Sequence, residues 1–133
     1  MDKNVLHDCL HAALDGKMSF PETVGKMIQT GVERYRADLV LLEKTHYAAN
    51  GGAHIEKIPL ERAPAIASEF SANAVKSAIE DIQQRRIDYA EFLRRVMKAG
   101  ITDYSVYLTG KKAIYYGRKG DFHVEHFPVQ RAE

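Results

Sequence analysis

The sequence predicts an α+β protein built from an internal duplication of an α-α-β-β-β unit, the two copies sharing one core about an approximate two-fold axis. Three observations carry this reading. HIEKIP at 54–59 recurs as HVEHFP at 123–128. The same 69-residue offset places Asn4 on Asn73, Glu22 on Glu91, Gly31 on Gly100, Tyr35 on Tyr104 and Tyr47 on Tyr116 without a gap. Within each copy, helical periodicity gives way to period-two alternation.

The first helix is expected over about 3–14, with Val5, Leu6, Cys9, Leu10, Ala13 and Leu14 on one face. Gly16 supplies its stop. A second helix opens at SFPE (19–22), where Ser19 can cap backbone N–H groups and Glu22 can reach back. Phe20, Val24, Met27 and Ile28 are its inward residues, and Gly31 ends it. A strand is expected over 32–42, with Tyr35, Ala37, Leu39 and Leu41 on one face. A tight turn at Glu43-Lys44 leads to a strand at 45–48. A turn at Asn50-Gly51-Gly52 leads to the last strand, 53–58, ended by Pro59.

The second copy repeats the plan. A helix is expected over about 72–86, with Val75, Ala78, Ile79 and Ile82 inward. Asp88 and Glu91 open the next helix, which buries Tyr89, Leu93, Val96 and Met97 and stops at Gly100. Strands follow at 101–110, 113–117 and 122–127, with turns at 110–112 and 119–121. A unit of about 57 residues buries little core alone, so the copies are expected to share one. The chain therefore reads as a single domain, 1–133, with copies at about 3–59 and 72–128. The connector, 60–71, is apolar enough to pack.

Composition excludes several classes. Apolar residues make up 45% and charged residues 28%, the mixture of a folded globular protein rather than a disordered one. No apolar run approaches the ~20 residues of a membrane span, and the N-terminus lacks the pattern of a signal peptide. A cytoplasmic protein without a membrane partner is expected. The lone cysteine, Cys9, reads as a small buried hydrophobe. The net charge of +1 creates no field for polyanions. Basic residues at Arg85, Arg86, Arg94, Arg95 and Lys98, and at Lys111, Lys112, Arg118 and Lys119, are interspersed with acidic ones. They read as a solvated face, so nucleic acid is not an expected partner. GKK (110–112) lacks the rest of a phosphate-binding loop.

The candidate ligand-binding residues are His54, Glu56, His123 and Glu125, with Tyr47 and Tyr116 beside them. Residues i and i+2 of a strand share a face, so each His neighbours its Glu. Two such pairs could converge on a metal at the two-fold axis, but no thiolate or further ligand spacing supports this, and no metal or other cofactor is expected. The plainer reading puts each pair on a polar outer strand face, with Ile55 and Val124 toward the core and a cross-strand contact to Tyr47 or Tyr116. Tyr35, Tyr104, Tyr107, Tyr115 and Tyr116 could line a groove between the copies, or serve as packing.

The stretches GKMSFPETVGKMIQTGVERYRADLVLLEKTHYAANG (16–51) and AGITDYSVYLTGKKAIYYGRKGDFHVE (99–125) resemble the YdfO-like, or YbcV-like, family of small enterobacterial and prophage proteins. Gly31, Val32, Tyr35 and Asp38 carry the resemblance. It implies a compact α+β fold and an unknown function, with no catalytic residues to transfer. The label "phage envelope protein" sometimes attached to that family finds no membrane-seeking residues here. The leading expectation is a non-enzymatic, prophage-type module that binds a protein partner or a small ligand and could form a homo-oligomer. The alternative is a metal-dependent or other enzyme using the His-x-Glu pairs and nearby tyrosines at a cleft between the copies.

Overall fold

The computed structural model describes residues 1–128. The elements, in order, are α1 (Lys3–Leu14), α2 (Phe20–Gln29), β1 (Val32–Asp38), β2 (Glu43–Ala48) and β3 (Ala53–Lys57). Then come α3 (Ala72–Gln83), α4 (Tyr89–Lys98), β4 (Ile101–Tyr107), β5 (Lys112–Gly117) and β6 (Phe122–His126). The class is α+β, and the order α-α-β-β-β occurs twice.

Local chemistry sets the helix ends. Asp2 caps α1 by accepting from the backbone N–H of Asn4 and Val5. Ser19 and Glu22 form the reciprocal capping box at α2. Asp88 caps α4 one-sidedly, accepting from Glu91 N–H at 2.8 Å, while the Glu91 carboxylate turns to Arg94 at 3.2 Å. Gly31 and Gly100 follow the two helix ends with φ of 89° and 93°, the left-handed region that glycine enters cheaply.

All six strands join one antiparallel sheet in the order β3-β2-β1-β4-β5-β6. The central pairing, β1 with β4, places Tyr35 opposite Val106, Arg36 opposite Ser105 and Ala37 opposite Tyr104. The 69-residue offset exchanges the first and last of these pairs and maps Arg36 onto Ser105. The β1–β4 register is therefore unchanged by the 69-residue offset.

The helices lie against one face of the sheet. Leu6, Leu10, Val75, Ile79, Phe92 and Leu93 meet Tyr35, Ala37, Tyr104, Val106, Ala113 and Tyr115 in the core. Phe92 stands edge-on to Tyr104 and Tyr115, with ring centroids 6.3 Å away in each case. The connector belongs to this core: Leu60, Ile66 and Phe70 pack against it, and Ser71 N–H donates to Ala99 O at 2.9 Å.

Several expectations need correction: the helix expected over 72–86 ends at Gln83 and the strand expected over 101–110 ends at Tyr107. The strand expected over 32–42 stops at Asp38. The Asp38 carboxylate accepts from Val40 N–H at 2.9 Å and Leu41 N–H at 3.0 Å, folding residues 39–42 into the hairpin turn. Leu39 stays in the core while Val40 and Leu41 project to solvent. Lys44 therefore lies within β2 rather than in a turn. Ile28, expected inward, is 54% exposed, and Thr23 takes the buried place on α2 instead.

Candidate functional site

The register determines where the His-x-Glu pairs go. His54 and Glu56 lie on β3 and His123 and Glu125 on β6, the two opposite edges of the sheet. Five strand spacings separate them, roughly 24 Å. The strand order keeps the two pairs apart. Among the described residues, no group of three or more His, Cys, Asp or Glu side chains is placed to hold a metal ion.

Their faces also differ from expectation. Glu56 sits opposite Lys44 and His54 opposite His46, so they share the helix-covered face with those buried residues. Ile55, expected in the core, is 61% exposed on the other face. On β6, Glu125 and His123 likewise oppose the buried Ala113 and Tyr115. Tyr47 and Tyr116 pair with Ala53 and Phe122 on the open face, away from both His-x-Glu pairs. Of the five tyrosines considered for a groove, Tyr35, Tyr104 and Tyr115 are core residues under the helices, whereas Tyr107 shares the open face. Each pair makes local contacts: His7 Nδ1 donates to Glu56 Oε1 at 3.2 Å, and His123 Nε2 donates to Glu125 Oε1 at 3.0 Å.

An open cavity of about 280 Å³ lies between the α1–α2 and α3–α4 junctions. Ser19, Thr23, Arg85 and Asp88 belong to its walls, and Tyr35, Tyr89 and Lys44 also line it. Lys44 is only 2% exposed. Its Nζ lies 4.2 Å from the ring centroid of Tyr35 and 5.0 Å from that of Tyr89. Both rings present the electron-rich face that attracts a cation. Lys44 forms no ion pair among the described residues.

Burial governs the ionisation of this region. It pushes the Lys44 ammonium down to about 8, against the opposing field of Glu56. The neighbouring His46, whose Nδ1 has no partner among the described residues, is pushed down to about 3 by burial and then by the charge of Lys44. Burial raises Tyr89 to about 12 and Tyr104 further, so both hydroxyls stay protonated at neutral pH while hydrogen-bonded to each other.

The two arginines that line the cavity, Arg85 and Arg86, are unequally engaged. Arg86 and Arg95 both close on Asp81, at 3.0 and 2.9 Å. Arg85 stands 3.7 Å from Glu22 with 58% of its side chain exposed. The sequence pattern hides Lys44, because it predicts a turn at Glu43-Lys44 where β2 runs. A signal was present: the 69-residue offset sets Lys44 against Ala113 and His46 against Tyr115, two polar residues at positions that are apolar core in the other copy.

A comparison with curated proteins finds no match. Residues 8–125 match the family described as "protein of unknown function (DUF1398)", and the chain belongs to that family.

Proposed function

We propose that the protein is a cytoplasmic small-ligand-binding module, one domain formed by duplication, that holds a small anionic molecule in the cavity above Tyr35 and Lys44. The observation that carries this reading is the Lys44 cation, buried at a cavity and, among the described residues, without an ion-pair partner. Removing an ammonium from water costs several kcal/mol, and cation–π contacts return only about 1–2 kcal/mol. An anion entering the cavity supplies the remainder, and Arg85 offers a second positive charge at its wall. The volume of about 280 Å³ suits a small metabolite. Glu56, opposite Lys44 on β3, moderates the charge of the site, which gives one of the His-x-Glu pairs a supporting role.

The test is thermal unfolding with a panel of small carboxylates and phosphates. At 100 times its dissociation constant, a ligand for the folded state adds about 2.7 kcal/mol, several degrees in Tm. Lys44→Met should fold at least as stably as the parent, because replacing a buried charge with an apolar chain of similar volume is often neutral or stabilising. It should lose the ligand-induced shift. An equal shift in Lys44→Met, or no shift with any anion, overturns the proposal.

A further inference from the structure

We propose that Lys44 is a nucleophile, and that the cavity takes a small oxo acid, an aldehyde or ketone carrying an anionic group, as a reversible imine on Nζ. This rests on the anion-binding reading and names the ligand class.

The geometry supports it in three ways. A lysine committed to a carboxylate is held as an ammonium and is a poor nucleophile, whereas Lys44 has no ion pair among the described residues. Glu56, opposite Lys44 on β3, turns its Oε1 to His7, and its buried Oε2 makes no hydrogen bond among the described residues. Two tyrosine rings stand where water would otherwise surround Nζ; the loss of that water outweighs their attraction for the ammonium, favours the neutral amine and shields an imine from bulk water. Lys44 and Arg85 line the same open cavity, and Arg85 on its wall can receive the anionic group.

The groups around Lys44 agree on its protonation. His46 on the same strand is neutral at physiological pH, and Tyr35 and Tyr89 are protonated, so Glu56 is the main charge favouring the ammonium. Burial outweighs it, leaving a substantial neutral fraction near pH 8. The step balances without a co-reactant. The Nζ lone pair attacks the carbonyl carbon and the C=O π pair moves to oxygen. The carbinolamine then loses that oxygen, which departs as water with the two amine protons, and the C=N bond forms. Water reverses each step.

The test incubates the full chain with pyruvate or glyoxylate, with and without cyanoborohydride, and maps adducts by peptide mass spectrometry. Reduction should fix the adduct on Lys44 at least about tenfold faster than on the exposed Lys57 or Lys119. Lys44→Arg and Lys44→Met should abolish that label and leave surface labelling unchanged. Lactate, which lacks the carbonyl, should raise Tm without trapping. If pyruvate or lactate raises Tm while Lys44 is labelled no faster than Lys57, the imine is refuted and anion binding stands. If neither stabilises nor labels, both proposals fall.

Discussion

Gly31 and Gly100 end equivalent helices with nearly equal φ, yet alanine at the two positions should have unequal consequences. The left-handed backbone costs an L-residue about 1 kcal/mol relative to glycine, and this term is common to both. At Gly31 an added Cβ meets nothing within 4 Å among the described residues. At Gly100 it would stand 2.3 Å from Glu69 O, 2.9 Å from Glu69 C and 3.0 Å from Phe70 Cα. These are backbone atoms, so the connector must move. That strains the 2.9 Å hydrogen bond from Ser71 N–H to Ala99 O and the packing of Phe70. Overpacking of this kind costs about 1–3 kcal/mol. Gly31→Ala should therefore lose about 1 kcal/mol, and Gly100→Ala about 2–4 kcal/mol. At roughly 3–5 °C per kcal/mol for a chain of this size, the expected falls in Tm are about 4 °C and about 6–20 °C. Thermal and guanidinium unfolding followed by circular dichroism would measure both. Equal losses, or a smaller one at Gly100, would refute the claim that the connector is wedged against the end of α4.

Other outcomes follow from the buried polar groups. His46 is held neutral with its pKa near 3, so below about 6.5 the unfolded chain binds a proton that the folded chain refuses. Stability should fall as pH drops from about 6.5 toward 3, by at most about 1.4 kcal/mol per unit from this residue. His46→Phe should flatten the urea-unfolding free energy between pH 6 and 4, and parallel curves would count against the assignment. Tyr89→Phe leaves the buried Tyr104 hydroxyl without its partner and should cost about 1–3 kcal/mol. Tyr104→Phe should cost about as much, and the double variant less than the sum; simple additivity in that cycle would remove the proposed coupling. Lys44, depressed to about 8, binds its proton more tightly in the unfolded chain, so stability relative to Lys44→Met should rise between pH 8 and 10.5. A constant difference over that range would contradict the burial of its charge.

What the sequence by itself determined is whatever depends on neighbours along the chain. The helix over 3–14, the Ser19–Glu22 capping box and the glycine stops were legible because caps and periodicity act within a turn or two. The α-α-β-β-β order in each half was legible for the same reason. The β1–β2 turn was misplaced because Leu39–Leu42 has strand-like composition, and only the Asp38 side chain, bonded to Val40 and Leu41 N–H, reveals the break.

Tertiary structure decided which face of each strand is covered and which strands are neighbours. Alternation fixes that His54 and Glu56 share a face, but a shift of one residue in the buried parity inverts every side chain. The pairing of Glu56 with Lys44 and of His54 with His46 set that parity, and it drew them under the helices while Ile55 went to solvent. The strand order then sent the two His-x-Glu pairs to opposite edges. The same register carried Lys44, an ordinary surface residue by type, beneath α2 and α4 to the cavity between Tyr35 and Tyr89. Burial, not identity, gives it chemistry, and burial exists only once distant segments have packed.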